Sequence, residues 1–410
     1  MTVPAIRPIP FPHNWMSSVQ VETSFLTDIT QSAGSVSEER RGLRRRPGRL
    51  ITARFTAFTR EDSARLLLAV LRYNHQANVF PLYCDVSIVT EASTGNTLKC
   101  DTSNRRFFIG MWVLVAEHTG KGLTNEQYVQ ISSITPGFLG VSLITGTIPV
   151  GARVYPLVQI DPNLSMNPVL LTDDKVSVEV AVLELLGPST LPSTAQDSLS
   201  RLSFLQWKDG YPIFEFRKDW TTSVRVNIAR PGEKYGQGRD QVISLAGSRP
   251  KLGFSMAHTF LNRAEFFHYM KFAESRSGRL RPFWMLNPQR LFTPTSVAGN
   301  DIVVEAIGND VEDWNFFERV GVVLSDGTIF ISKITNVVLG ADITFTLEDA
   351  PTFVLADIRR MSTAHLCRFN ADAISEEWDT SGIVRMSSDV IEVLNEKDAT
   401  VTGTFPDPIT

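Results

Sequence analysis

The sequence predicts a mostly β fold with one helix per repeat, arranged as two tandem β-sandwich or barrel domains. Three observations support this fold class. Many short segments alternate apolar and polar residues with a period of two, Gly, Asn and Pro separate them, and the whole series recurs in the same order about 200 residues later. The alternation is typical of half-buried strands, and a recurrence at a fixed separation indicates an internal duplication.

The first matched element of the two copies is a Trp followed by a strand pattern. Trp15 precedes an alternating segment that runs to Val21, and Trp220 precedes one that runs to Val226, with 205 positions between the two Trp. Near the end of each copy, residues 129–135 match residues 329–335, and residues 176–180 match residues 390–393. Six matched strands in one order favour a duplication over two unrelated β-rich domains.

A helix is predicted at the same place in each copy. Thr59 and Asn262 are suitable N-caps, and an apolar stripe with the spacing of a one-sided helix follows each of them. The first stripe is Ala64, Leu67, Leu68 and Leu71, and the second is Phe266, Tyr269, Met270 and Ala273. An aromatic strand with a proline then follows at residues 79–83 and 281–285.

These patterns divide the chain into five parts. An extended N-terminal arm covers residues 1–13, a first β domain covers 14–186, a linker covers 187–206, a second β domain covers 207–395, and a C-terminal tail covers 396–410. The linker is placed where Gly, Pro, Ser and Thr dominate and charge is absent around residues 187–194.

The composition excludes several classes of protein. Of 410 residues, 43% are hydrophobic and 20% are charged, which excludes a disordered chain, and the net charge of −4 argues against a polyanion-binding chain. No uncharged apolar run approaches the ~20 residues of a membrane helix, and the proline-rich N-terminus lacks the apolar core of a signal peptide. The three cysteines form neither a disulfide framework nor a zinc pattern.

No catalytic motif stands out. The six histidines lack metal-ligand spacing, no Gly-x-Ser-x-Gly elbow is present, and the Gly-rich residues 232–239 lack the ending of a phosphate loop and are expected to form a mobile loop. We therefore expect a protein that is not an enzyme and that uses neither a cofactor nor a metal.

A cluster of arginines is the sharpest charge feature. It is interpreted first as a probable interface loop, because guanidinium groups bind carboxylates and phosphates in a bidentate manner; a solvated loop and a nucleic-acid contact are the alternatives. The loop at the same place in the second copy has a milder charge. The first loop contains Arg40, Arg41, Arg44, Arg45, Arg46 and Arg49, and the second contains Lys234, Arg239 and Arg249.

The closing segments at residues 366–372 and 388–393, and the aromatic strand at residues 278–284, are similar to segments of distal tail and baseplate hub proteins of siphophages and gene transfer agents. Those closing strands often carry Arg-Phe-Asp, and Asn370 stands here in place of that Asp. The duplicated sandwich with one helix resembles the tail-tube fold of long-tailed bacteriophages, whose simplest distal tail proteins have one such domain per chain.

The resemblance implies a structural ring in the virion, at the tail tip, assembled in the cytoplasm of the host bacterium. Its partners would be further copies of the chain, the tail tube protein, and baseplate hub or tail fibre proteins. Two domains per chain favour a trimer with pseudo-sixfold symmetry, with a hexamer as the alternative. Genomic DNA would pass through a neutral or acidic channel without specific binding.

Two other functions stay open at the level of sequence. A carbohydrate-binding or adhesin-like β protein of the virion would use an exposed Trp, such as Trp112, Trp284 or Trp314, as a sugar platform. A tail-associated hydrolase, which is less favoured, would need a carboxylate pair such as Asp313 and Glu318.

Overall fold

The computed structural model describes residues 13, 15, 17–31, 38–43, 47–73, 79–119, 122–161, 165–185, 205–229, 232–235, 242–245, 251–306 and 318–393. Most of the predicted arm, most of the predicted linker and all of the predicted tail lie outside these residues. Strands make up 59% of the structure, which confirms the mostly β prediction, and the described residues form two α-helices and no closed barrel.

We call residues 19–185 the first half and residues 225–393 the second half. The helices are α1 (Arg60–Tyr73) and α2 (Arg263–Arg276). The strands of the first half are β1 (Val19–Ser24), β2 (Thr27–Gln31), β3 (Glu38–Gly42), β4 (Gly48–Ala57), β5 (Val79–Pro81), β6 (Ser87–Ile88), β7 (Ser93–Lys99), β8 (Trp112–Thr119), β9 (Gly122–Thr135), β10 (Phe138–Ile148), β11 (Arg153–Gln159), β12 (Ser165–Thr172) and β13 (Lys175–Leu183).

A small hairpin of β14 (Trp207–Lys208) and β15 (Tyr211–Pro212) precedes the second half. The strands of the second half are β16 (Arg225–Ala229), β17 (Gly232–Tyr235), β18 (Val242–Leu245), β19 (Lys251–Phe260), β20 (Phe283–Leu286), β21 (Pro294–Ala298), β22 (Asp301–Glu305), β23 (Arg319–Leu324), β24 (Ile329–Leu339), β25 (Asp342–Leu347), β26 (Ile358–Phe369), β27 (Ala373–Trp378) and β28 (Val384–Glu392).

Eight antiparallel strands lie side by side across both halves, in the order β12-β13-β4-β1-β27-β28-β19-β16. We call this set the eight-strand row. Its first four strands belong to the first half and its last four to the second half. The order within each half is the same, because β12-β13-β4-β1 and β27-β28-β19-β16 occupy matching places along the chain.

The remaining strands of each half form an outer sheet. In the first half its order is β5-β11-β8-β9-β10-β7, and in the second half it is β20-β26-β23-β24-β25-β22. These two orders also match place by place along the chain. The halves differ at one short strand, since β6 pairs with β11 whereas β21 pairs with β22.

The alternation read from the sequence explains why these segments are strands with one buried face. Along β13, Val176, Val178, Val180 and Val182 are buried, and the intervening residues turn to the opposite face of the row. The buried faces of the row, the first outer sheet and the helices share one hydrophobic core, which is the arrangement expected for amphipathic layers. Most of the second outer sheet packs around two smaller clusters of its own.

The helices lie where the sequence predicts them, each directly after a strand of the row. The predicted caps are confirmed: the Asp62 N–H donates to Thr59 Oγ1 at 3.2 Å, and the Ala264 N–H donates to Asn262 Oδ1 at 2.8 Å. The predicted α2 stripe is buried in full. The predicted α1 stripe is wrong, because Leu66 and Val70 face the core whereas Leu68 and Leu71 are exposed.

Two loops also differ from expectation. The apolar run at residues 107–115 would suit one continuous buried strand, but it is a strand only from Trp112, because a turn at residues 109–110 precedes it. Part of the expected mobile loop at residues 232–239 is strand β17, which pairs with β18 in a hairpin. The β2–β3 hairpin holds the same place in the first half.

Candidate assembly interface

The two halves are joined edge to edge inside the chain. β1 pairs with β27 over six residue pairs, from Val19 opposite Trp378 to Ser24 opposite Ala373. Val19, Val21, Ile374 and Trp378 on the core side of this joint are all buried. We call this joint the internal junction; it connects two different edges, because β1 and β27 hold different places in their halves.

A buried group of opposite charges stabilises the internal junction. Arg106 Nη2 from the first half donates to both carboxylate oxygens of Glu376 in β27, at 2.8 and 2.9 Å, and its Nη1 lies 3.6 Å from Asp85 Oδ2. Asp85 also pairs with Arg263 at the start of α2. Trp378 Nε1 completes the group by donating to Glu376 Oε2 at 3.0 Å.

The charges in this group balance, two guanidinium groups against two carboxylates. Burial by itself lowers the pKa of Arg106, but the neighbouring Glu376 and Asp85 outweigh burial and raise it above the ordinary value. Arg106 therefore stays protonated. A buried charge set of this kind is costly to break, because removal of one member leaves the others without compensation.

A second contact across the internal junction uses the base of the β2–β3 hairpin. The Thr27 N–H donates to Asp372 Oδ2 at 2.8 Å, and Arg279 Nη2 donates to the same oxygen at 3.2 Å and to the Thr27 carbonyl at 3.0 Å. Arg40 Nη1 on β3 reaches the Leu280 carbonyl at 3.2 Å. The hairpin of the first half thus rests on the turn that follows α2.

The first and last strands of the eight-strand row, β12 and β16, each have exposed apolar side chains and an edge that is unpaired among the described strands. Within the described residues, β12 pairs only with β13, and β16 pairs only with β19. On the core-facing side of these end strands, Leu170 is 71% exposed, Val226 is 52% exposed and Ile228 is 67% exposed. Apolar side chains at an open sheet edge form a surface that is suited to pairing with a further strand.

The other face of the row is open to solvent and carries balanced charge. Its exposed and half-buried residues include many Ser, Thr, Asn and Gln, together with apolar residues such as Leu50, Val169 and Leu183. Arg54 pairs with Glu179 across this face at 2.7 Å. The anionic members within the strands are Glu22, Glu179, Glu377 and Asp389, and the exposed cationic members are Arg54, Lys175, Arg225 and Arg385.

The structure describes some of the arginines of the predicted interface loop. Arg40 and Arg41 lie on β3, and Arg41 is exposed. Arg49 lies within β4 rather than in a loop, is 3% exposed and pairs with Glu184, so its side chain is engaged in the fold of its own half. Lys234 lies on β17. Arg44, Arg45, Arg46, Arg239 and Arg249 lie outside the described residues.

The structure describes only some of the residues proposed for the alternative functions. Trp284 is buried, with its Nε1 donating to the Lys208 carbonyl at 3.0 Å, so it offers no sugar platform. Trp112 is half-buried on β8. Trp314 and Asp313 lie outside the described residues, whereas Glu318 is described and exposed. No group of His, Cys, Asp and Glu among the described residues is placed to hold a metal ion.

Sequence reasoning missed the buried charges of the internal junction. Arg106 and Glu376 are 270 positions apart, and neither belongs to a motif. The only local signal is that charged residues stand among apolar ones, as Glu376 does between Ile374 and Trp378 on the buried face of a strand. That signal indicates a buried pair without naming the partner.

None of the described helices has the length and apolarity needed to cross a bilayer. The chain matches no protein-family model, and it matches no curated protein sequence.

Proposed function

We propose that this chain is a structural ring component of a bacteriophage tail tip, a distal tail or upper baseplate hub protein that joins the tail tube to the hub or receptor-binding apparatus. The observation that carries the proposal is the eight-strand row. Two sets of four strands in the same order are joined through unlike edges, β1 and β27, and the row ends in one edge of each kind.

A joint between unlike edges has a geometric consequence. Head-to-tail contacts repeat until they close into a ring, or continue as a filament when the rotation does not close. With two half-units per chain, three copies give a ring of six half-units with pseudo-sixfold symmetry. A hexamer of six copies is the alternative. The ring of three copies matches a sixfold tube on one face and a threefold hub on the other.

The solvent face of the row suits the wall of a DNA channel. Duplex DNA is held by clusters of Lys and Arg that release its counterions. The balanced charges and the many small polar side chains of this face give no such cluster. Genomic DNA can then pass along the wall without specific binding, which is the role we assign to the channel.

The closing segments support the same family of function. Phe369 of the Arg-Phe-Asn strand lies opposite Val390 in β28, so the two segments that resemble distal tail and baseplate proteins are neighbours in one sheet. Partners of the ring are the tail tube protein on one face and baseplate hub or tail fibre proteins on the other. No catalytic step belongs to this role. The ring belongs to the virion and is assembled in the host bacterial cytoplasm.

The direct test is the mass and shape of the purified full chain. Native mass spectrometry at micromolar concentration should give a species of three times the chain mass of 45.7 kDa, and negative-stain images should show a ring with a central opening. Six times that mass would select the hexamer. A monomer that persists at the highest attainable concentration would refute the proposal.

A further inference from the structure

The edge strands at the two ends of the row correspond to the strands of the internal junction. β16 holds in the second half the place that β1 holds in the first, and β12 holds in the first half the place that β27 holds in the second. Positions that are buried at the internal junction are exposed at the ends: Val21 is 0% exposed and its counterpart Val226 is 52% exposed, while Trp378 is 0% exposed and its counterpart Leu170 is 71% exposed.

The pairings of the inner strands make this correspondence exact to the residue for β1 and β16. Val21 lies opposite Ile51, and Val226 lies opposite Phe254. Ile51 and Phe254 each precede the first residue of their helix by nine positions. Gln20 and Arg225, one residue earlier, are therefore counterparts on the solvent face.

The same reasoning relates β12 to β27. Leu170 lies opposite Val176, and Trp378 lies opposite Val384. Val176 and Val384 in turn lie opposite Ala57 and Phe260, the residues three positions before each helix. Val169 and Glu377, one residue earlier, are therefore counterparts.

We propose that β16 of one copy pairs antiparallel with β12 of the next copy in the register of the internal junction. Gln20 lies opposite Glu377 within the chain, so Arg225 of one copy lies opposite Val169 of its neighbour. On the core side, Val226 then faces Pro168 and Ile228 faces Met166. This inference rests on the proposed function and specifies which edges of the ring meet and how they are aligned.

Most of the side chains that this joint covers are exposed in the isolated chain, and Met166 is half-buried. Ile228 and Leu170 would be buried in the ring, as their counterparts Thr23 and Trp378 are at the internal junction. Pro168 lacks an N–H and removes at most one hydrogen bond from the new ladder, a loss that edge strands tolerate.

A contact of α2 supports the same arrangement. Arg263 at its start donates to the carbonyls of Cys84 and Asn104 in the first half, at 2.8 and 2.9 Å, and pairs with Asp85. Arg60 holds the same position at the start of α1 and is exposed. In the proposed ring the start of α1 faces the second half of the neighbouring copy, so both helix starts become covered.

Within the described residues the two edges do not meet inside one chain, because β12 pairs only with β13 and β16 pairs only with β19. They lie at opposite ends of eight strands, and seven inter-strand spacings of ~4.8 Å separate them by roughly 34 Å along the sheet. A disulfide needs Cα atoms within ~7 Å. A covalent link between β12 and β16 therefore reports a contact between two copies, and the natural cysteines add little background because Cys84, Cys100 and Cys367 are all buried.

The experiment mixes the full-length single variants Val169→Cys and Arg225→Cys, oxidises the assembled protein mildly, and measures products by non-reducing electrophoresis. We expect a two-chain product from the mixture and none above background from either variant alone. Arg225→Cys mixed with Asn167→Cys is the off-register control, two residues along the same face, and should link at least fivefold less. Gln20→Cys with Glu377→Cys in one chain is the positive control, which should close an internal disulfide.

The outcomes separate the two proposals. An oligomeric ring in which Arg225→Cys links preferentially to Asn167→Cys, or to neither partner, overturns the register and leaves the ring in place. A protein that stays monomeric before oxidation overturns the ring and this inference together. Preferential linking of positions 169 and 225 in the oligomer supports both.

Discussion

Arg106 connects the two halves through its buried ion pairs with Glu376 and Asp85. Replacing it by Ala leaves Asp85 and Glu376 buried with one guanidinium between them, and loss of one partner from a buried charge set costs about 3–5 kcal/mol. We expect Arg106→Ala to lower the free energy of unfolding by that amount in urea titrations followed by circular dichroism.

Arg54→Ala is the matched control for Arg106→Ala. Its pair with Glu179 has a similar distance, 2.7 Å, but both side chains are well exposed, so its loss should cost below about 1 kcal/mol. If the two variants lose equal stability, the buried group does not stabilise the internal junction.

His13 gives the N-terminal segment a dependence on pH. Its ring is buried against Trp15, Tyr83 and Phe55, and burial lowers its pKa from 6.5 to about 4. The unfolded chain takes up this proton first as the pH falls. The contribution of the neutral ring is therefore complete above pH 6.5 and is lost as the pH falls through about 4.

The variant His13→Phe tests this dependence because it keeps an aromatic ring without a titrating group. Between pH 7 and pH 4.5, the wild-type chain should lose more stability in urea titrations than the variant does. The difference between the two proteins is the readout, since burial also lowers the pKa of His258 in both. Equal losses would show that His13 is not the titrating group.

At the scale of the element, the edge strand β16 is the place where one side chain can block assembly. Ile228 is 67% exposed in the single chain, so Ile228→Lys should change the stability of the monomer by no more than about 0.5 kcal/mol. In the ring the same Lys would be buried without a partner. We expect the dissociation constant of the oligomer to rise at least tenfold, or about 1.4 kcal/mol, in sedimentation measurements.

Leu143→Lys provides the control for Ile228→Lys. Leu143 is 74% exposed on β10, in the outer sheet and away from the ends of the row. This variant should assemble like the wild-type chain. Equal weakening by both substitutions would indicate a general effect of charge rather than a role for β16.

The helices show what periodicity can and cannot predict. In α2 the predicted stripe is buried, and so are Phe267 and Phe272 outside it, because this helix is covered on more than one side. In α1 every residue from Leu66 to Leu71 is apolar, so several stripes fit the same spacing. The core selects Leu66 and Val70 because β4 and β13 lie on that side, and this choice depends on tertiary packing that local sequence does not contain.

At the scale of the whole molecule, the proposed channel requires that the charge of the row's solvent face be too balanced to bind DNA. We expect no binding of a short duplex to the assembled wild-type protein by fluorescence anisotropy at 50 mM salt. The triple variant Glu22→Lys, Glu377→Lys and Asp389→Lys makes the wall strongly positive. It should bind the duplex with an affinity that falls about tenfold or more between 50 and 200 mM salt.

The control for this triple variant has the same net charge, but its three Lys substitutions lie away from the solvent face of the row. Asp326→Lys, Asp342→Lys and Glu348→Lys change three exposed residues of the second outer sheet region. This protein should bind DNA more weakly than the wall variant. Equal binding by both would mean that net charge rather than the face of the row controls the contact with DNA.

The sequence predicted the positions of the strands along the chain better than it predicted which strands pair with each other. Alternation and the cap residues predicted where strands and helices lie, because both are local effects. The pairing of Val19 with Trp378 joins positions 359 apart, and it depends on which edges fit together. The same limit applies to Arg106 and Glu376, whose role exists only after both halves have folded.

The internal junction and the proposed joint between copies differ in one respect that bears on how the proposed ring would open. Glu376, bound by Arg106, occupies β27, whereas Pro168 holds the matching place in β12. In the proposed trimer, three of the six seams thus have both the buried ions and the covalent chain, whereas the three seams between copies have the strand ladder and apolar contacts without a counterpart of Glu376. Outward force would separate the three seams between copies first. The channel would then widen at three places around the ring rather than at six.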